Sequence, residues 1–236
     1  MVLSSLALLL GIAVAPASIK AQTLPLDESL TSLLSPEGQQ LLQESEAQTD
    51  YVPLASQFVT QQNQAFCGIA STVMILNALG IPAPEAPEWE RQYFTQENIF
   101  NPATEAVIER SLIERQGLTL AELAGIISSY PVTVEVLYGA EVTLDEFRQA
   151  IATNLAEGDN FVVVNYLRRA IGQETGGHIS PIAAYDADTD RFLILDVSRY
   201  KYPPVWVEAE ALWQATDTID SVSERSRGVV LVSALE

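Results

Sequence analysis

No Asp, Glu, Lys or Arg occurs from Tyr51 through Pro84, and inside that uncharged stretch Gln61 to Leu79 reads Q-Q-N-Q-A-F-C-G-I-A-S-T-V-M-I-L-N-A-L, with the chain's single cysteine. After Cys67 the apolar residues fall at helical spacing. Ile69, Val73 and Leu76 share one side, Ala70, Met74 and Ala78 fill the next, and Gly80 followed by Pro82 is a stop signal. A helix apolar over most of its circumference has to run through a core, so only its first turn can reach a cleft. Cys67 sits in that turn. There the helix dipole and the unpaired backbone N–H groups favour the thiolate, and the preceding Gln and Asn side chains can supply the neutral N–H donor of an oxyanion hole. A lone Cys among apolar residues is also a common space filler, so chemistry at Cys67 requires partners elsewhere in the chain.

The chain holds one histidine, His178, directly after Gly176-Gly177 at the head of an apolar run. Asp196 ends the next run, and the two are joined through Asp186-Ala-Asp-Thr-Asp190. If those five residues form a hairpin loop, Tyr185 opposes Arg191 and Ser180 opposes Asp196. His178 is then a diagonal neighbour of Asp196 on the same face, roughly 7–8 Å away by backbone and within side-chain reach. A carboxylate there can fix the imidazole tautomer and stabilise an imidazolium beside a thiolate. Cys, His and Asp in this arrangement are the parts of a thiol acyl-transfer enzyme. The Asp186-x-Asp-x-Asp190 loop has Arg191 where a calcium loop needs Gly and Val197 where it needs Glu, and reads as a turn.

Elsewhere the punctuation is clear. Ser35 followed by Pro36 opens a helix. Ala103 to Gln116 reads as one helix closed by Gly117, and Thr119-Leu-Ala-Glu122 and Thr143-Leu-Asp-Glu146 are capping boxes that start two more. Strands are expected at Val132–Val136, Phe161–Tyr166, Ile179–Tyr185, Phe192–Val197 and Gly228–Val232. Helices in the first two-thirds and strands in the last third predict an α+β fold, a helical lobe and a sheet lobe around one cleft.

With 236 residues, 48% of them hydrophobic, there is ample material for a core. A formal charge of -19 excludes a nucleic-acid surface, which needs clustered Lys and Arg. One Cys and one His exclude an internal disulfide and a structural metal site built on those ligands, so any metal would arrive with the substrate. Met1 to Ala21 reads as an export signal: the apolar Leu6–Ala15 run is too short to span a bilayer, and Ala15-Pro16-Ala17 or Ile19-Lys20-Ala21 could be cleaved. That predicts an exported, periplasmic protein whose residues 22–236 form one catalytic domain. The n-region has no Lys or Arg, and the alternative is a retained N-terminal helix on a cytoplasmic protein. No other segment is long and apolar enough for a stable membrane span.

Four stretches carry a resemblance: Q-F-V-T-Q-Q-N-Q-A-F-C-G (Gln57 to Gly68), N-Y-L-R (Asn165 to Arg168), G-G-H-I-S-P (Gly176 to Pro181) and D-V-S-R-Y-K-Y-P-P-V-W-V (Asp196 to Val207). Together they resemble the phytochelatin synthase family, its short prokaryotic members in particular. The resemblance implies a papain-like fold and cleavage of the Cys–Gly bond of glutathione, with γ-Glu-Cys passing through a thioester on the enzyme. It implies Cys67 as nucleophile, His178 as general base and then acid, Asp196 as orienting carboxylate and Gln61 as oxyanion donor. It further implies Asp220 and Arg227 as the pocket for the γ-glutamyl head, whose ammonium and carboxylate suit a carboxylate and a guanidinium fork. No cofactor is implied for the protein itself; Cd or Zn would come as the glutathione thiolate. Long eukaryotic members carry a Cys-rich C-terminal region, and this sequence has no second Cys. That favours hydrolysis of glutathione, with slower dipeptidyl transfer to a second glutathione, and a homodimer is suggested by the family alone. The competing readings are a general papain-like peptidase and a non-catalytic thiol-binding module.

Overall fold

The computed structural model describes residues 23–174 and 176–235, so the export-signal reading of Met1 to Ala21 lies outside the described residues. Along the chain come β1 (Thr31–Ser32), α1 (Pro36–Glu44), α2 (Tyr51–Ser56), α3 (Cys67–Ala78), a small hairpin of β2 (Glu85–Ala86) and β3 (Arg91–Gln92), and α4 (Pro102–Val107). There follow α5 (Arg110–Gln116), α6 (Leu120–Ile127), β4 (Val132–Tyr138), α7 (Leu144–Ala156), β5 (Asn160–Leu167), β6 (Gly177–Asp186), β7 (Arg191–Ile194), β8 (Val205–Glu208), α8 (Ala209–Thr216) and β9 (Gly228–Ala234). Seven strands make one antiparallel sheet in the order β1-β8-β7-β6-β5-β9-β4. The fold class is α+β.

Helices cover both faces of the sheet. On one face Ile69, Val73, Met74 and Leu76 of α3 and Leu123, Ile126 and Ile127 of α6 pack with Val163, Ile179 and Val230 of the strands. On the other, Phe147, Ile151 and Leu155 of α7 and Leu212 and Ala215 of α8 pack with Val162, Val164, Ile182 and Ile194. Central β5 is therefore buried on both sides, which explains its unbroken apolar run. Residues 67–76 of α3 are all buried, as expected for a helix without charges.

The caps act as their spacing predicts. Ser35 Oγ accepts the Gly38 N–H at 3.0 Å, and both Thr boxes are reciprocal. The single helix expected over Ala103–Gln116 is two, parted by extended Ile108, whose side chain turns into the core at 6% exposure. A separate capping box of Asn101 and Thr104 starts the first of them. Strand β7 ends at Ile194, three residues short of expectation. Both β8 and α8 escape a sequence reading: the strand follows Pro203-Pro204, and the helix opens on Glu208 with no side-chain cap. The mixed order of the last third follows, with β4 reaching forward to pair β9.

Candidate active site

The hairpin of β6 and β7 sets the site's geometry through two compensating shifts. Tyr185 pairs with Phe192 and Asp186 with Arg191, so the turn is four residues rather than five. A bulge between Ile182 and Ala184 then moves the register by one, to Ile182 opposite Ile194. Continued outward, with Leu195 N–H donating to Pro181 O at 3.0 Å, this sets Ser180 across from Asp196, the relation the sequence count gives. The turn's carboxylates are taken by protein: Asp186 Oδ1 accepts from Thr189 N and Oγ1, and Asp190 is gripped by both ends of the Arg148 fork at 2.7 and 2.8 Å.

Cys67 is the first residue of α3 and His178 the second of β6, and the thiol and imidazole lie within hydrogen-bonding reach of one another. His178 Nε2 stands 2.8 Å from Asp196 Oδ1 and 2.9 Å from Ser180 Oγ, which leaves Nδ1 to face the sulfur. The Tyr166 ring meets the imidazole edge-on, centroids 5.7 Å apart at 89°. All three groups are buried: Cys67 is 7% exposed, His178 4% and Asp196 0%.

Burial alone pushes the Cys67 thiol up, but the hydrogen bond and charge of His178, with the backbone amides of Ile179 and Gly68, bring it below the ordinary thiol value. Burial, the largest single effect, pushes His178 down, and the Asp196 charge together with hydrogen bonds to Asp196 and Cys67 outweighs it and holds the imidazole above its ordinary value, against some repulsion from Arg168. Asp196 is likewise opposed by burial and held far below the carboxylate range by His178 and Arg168. All three directions favour a thiolate–imidazolium pair beside an ionised carboxylate.

A cavity of about 190 Å³ opens from the sulfur, lined among others by Gln64, Asn165, Gly177, Asp220 and Arg227. Of these, Arg227, 7% exposed, has its Nη1 spent on Thr218 O, Thr218 Oγ1 and Ile219 O, while the buried Nε has no partner. Asp220 Oδ2 lies 4.0 Å from Nη2. A methyl group on Gly177 would sit 3.3 Å from Nη2 and 3.4 Å from Nε, so glycine keeps that flank of the fork open.

Gln61 is not among the residues lining the cavity. Its Nε2 donates to Asn63 O at 2.7 Å and lies 3.3 Å from the Tyr200 hydroxyl, and its Oε1 accepts from Ser198 Oγ at 2.6 Å. With Gln61 N–H bonded to Val197 O, this side chain ties the approach to Cys67 to the Asp196 segment. Arg168, Ser180, Tyr166 and Asn165 were given no role by the sequence. Only their place in or beside two motif stretches set them apart.

A model of the family described as phytochelatin synthase matches residues 21–229. The chain is 33% identical over 205 residues to glutathione gamma-glutamylcysteinyltransferase 3 of Lotus japonicus, covering 86% of this chain and 42% of that protein. Glutathione gamma-glutamylcysteinyltransferase 2 of Arabidopsis thaliana is 33% identical over 180 residues, 76% of this chain and 39% of its own. The glutathione gamma-glutamylcysteinyltransferase of Schizosaccharomyces pombe is 29% identical over 186 residues, 79% and 44%. The chain thus spans less than half the length of these relatives. Among the described residues no helix is long and apolar enough to cross a membrane. By the extent of the family match, the chain belongs to the phytochelatin synthase family.

Proposed function

We propose that this chain is a thiol-dependent acyltransferase acting on glutathione, with a papain-like division of labour between a helix carrying the nucleophile and an antiparallel sheet carrying base and carboxylate. The observation that carries the reading is that Cys67 and His178, the latter held by Asp196, line one small cavity together with an under-bonded guanidinium, Arg227, and a carboxylate, Asp220. The names of the relatives support the substrate.

In the first half-reaction the Cys67 thiolate attacks the carbonyl carbon of the Cys–Gly amide. His178 Nδ1–H passes its proton to the glycine nitrogen as the C–N bond breaks, leaving γ-Glu-Cys as a thioester and releasing glycine. Water, or the amine of a second glutathione, then attacks the thioester. His178 takes the proton and the C–S bond breaks. Asp196 holds the imidazole by Nε2 throughout. The second Gln61 amide N–H, now turned toward Tyr200, and the free first-turn N–H groups of α3 would stabilise the oxyanion. Arg227 takes the α-carboxylate through its open Nε and Nη2, and Asp220 takes the ammonium. Any Cd or Zn enters as the substrate's thiolate.

A cavity of about 190 Å³ is smaller than the roughly 300–1,000 Å³ usual for ligand pockets, which favours one compact zwitterionic head over a general peptide. Mass spectrometry after incubation with glutathione should show γ-Glu-Cys and glycine, and Cys67→Ser should make neither. Both products persisting in that variant would reject the mechanism. A general peptidase would keep its rate on a plain peptide in Arg227→Ala, whereas a glutathione enzyme would lose its substrate.

A further inference from the structure

One buried guanidinium beside the site takes no part in the steps above. Arg168 follows β5 directly, in the N-Y-L-R stretch, and is 3% exposed. Its Nη2 donates to Asp196 Oδ1 at 2.9 Å, and its Nη1 lies 2.8 Å from Oδ2 as an ion-pair contact without the alignment of a hydrogen bond. The same Nη1 donates to Gln173 Oε1. Its guanidinium carbon lies 5.1 Å from the centroid of the Tyr202 ring, and the Tyr202 hydroxyl accepts the Glu174 N–H at 2.8 Å. The arginine is thus fixed independently of the carboxylate it grips.

We propose that Arg168 is a positioning residue for the reaction: its fork holds the Asp196 carboxylate where His178 needs it, and its fixed positive charge limits how firmly His178 keeps its proton. This rests on the catalytic reading of Cys67, His178 and Asp196. The Asp196 Oδ1 receives His178 Nε2, Arg168 Nη2 and the Ser198 N–H together, so the oxygen that orients the imidazole is itself oriented by the guanidinium. The ionisable groups facing His178 are Cys67 from α3, Tyr166 from β5, Asp196 after β7 and Arg168 after β5; Ser180 on β6 is a neutral neighbour. Among them Arg168 is the permanent cation. With a thiolate, an imidazolium and a carboxylate it makes a buried set of zero net charge, whereas without it the set carries one uncompensated negative charge. That excess would strengthen the hold of the imidazole on the very proton it must give to the leaving glycine.

The test compares the wild type with Arg168→Gln, Arg168→Lys and Gln173→Ala, by kcat and KM for glutathione, the pH profile of kcat/KM, and thermal melting. In Arg168→Gln, kcat should fall on the order of 100-fold with KM little changed, and the high-pH limb, where His178 loses its proton, should move up by about one pH unit. Arg168→Lys keeps the charge and loses the fork, so its limb should stay in place while kcat remains below wild type. Gln173→Ala loosens the anchor and should lower kcat several-fold with the limb unmoved. An unmoved limb in Arg168→Gln, with kcat falling only as the folded fraction falls, would reduce Arg168 to a structural prop and overturn the proposal. If Arg168→Gln does not fold, wild-type kcat in both of the other variants overturns it, and a kcat loss in both at unchanged KM upholds it. Failure of the underlying reading shows separately in the wild type, as a Cys67 that iodoacetamide alkylates no faster than a free thiol.

Discussion

Asp50 and Asp196 are equally hidden, at 1% and 0% exposure, and they sit at opposite ends of the carboxylate scale. Asp50, just before α2, has an Oδ2 without a hydrogen-bond partner, and burial pushes its carboxyl up to about 8. Asp196 meets the same opposition from burial, yet His178 and Arg168 keep it far below the carboxylate range. Burial sets the penalty for a charge, and donors decide whether the charge is kept. Arg227 stands between the two, with Nη1 saturated by the chain and its buried Nε without a partner. A carboxylate furnished with donors on one oxygen keeps its charge even though Asp196 Oδ2 itself lacks an aligned hydrogen bond, a half-furnished charge stays open to a ligand, and an unfurnished one is given up.

The sharpest way to break this comparison is Asp196→Asn, which should lower kcat/KM by roughly 1,000- to 10,000-fold while the protein stays folded, because an amide holds the wrong imidazole tautomer. Near-normal turnover would show the furnished carboxylate to be idle. At the half-furnished site, Arg227→Lys keeps a charge and loses the side-on fork. Titration of initial rates should give a kcat/KM about 10- to 100-fold lower, mostly through KM, with iodoacetamide labelling of Cys67 untouched. If labelling slows in step, the thiol and the guanidinium do not act separately.

Cys67 itself should react with iodoacetamide roughly ten-fold faster than a free thiol at pH 6, since His178 holds the thiolate below the ordinary thiol range. Rates that simply track an ordinary thiol would remove the electrostatic half of the contrast. The smallest effect concerns Asp50. Its folded-state carboxyl lies above its unfolded value of 3.8, so the folded protein binds the extra proton and stability is lost as pH rises from about 4 toward 8. Asp50→Asn should be more stable than wild type by about 1 kcal/mol at pH 8 to 9 and about equal near pH 4, by denaturant unfolding. A gain that does not depend on pH would mean the carboxyl never titrates there.

Much of this site is legible in the sequence because it rests on local signals. An uncharged helix with Cys67 in its first turn, two capping boxes and a hairpin joining the only His to an Asp require no knowledge of distant contacts. The relation of Ser180 to Asp196 emerges from counting even though the turn is shorter than assumed, since the bulge restores the missing residue. Arg168 is hidden from such a reading. An arginine at the end of an apolar strand looks like a solvated terminus, and only the return of the chain at Asp196, Gln173 and Tyr202 encloses it. Gln61 is intermediate: the sequence offers it as a free donor, and the fold engages the same amide with Asn63 and Ser198. The split at Ile108 and the uncapped α8 show tertiary burial overruling or replacing local punctuation.

The irregularity at Ile182–Ala184 also fixes what length changes this protein can tolerate. Side chains along a strand alternate between faces, so parity rather than distance decides whether the imidazole and its carboxylate meet. Deleting Pro181 would turn His178 and Ser180 to the opposite face while Asp196 stayed behind, whereas losing Ala183 would only remove the bulge and keep Ile182 opposite Ile194. Gains or losses in the distal turn, by contrast, are absorbed beyond the kink. The reactive pairing is inherited as a counting rule written into one hairpin.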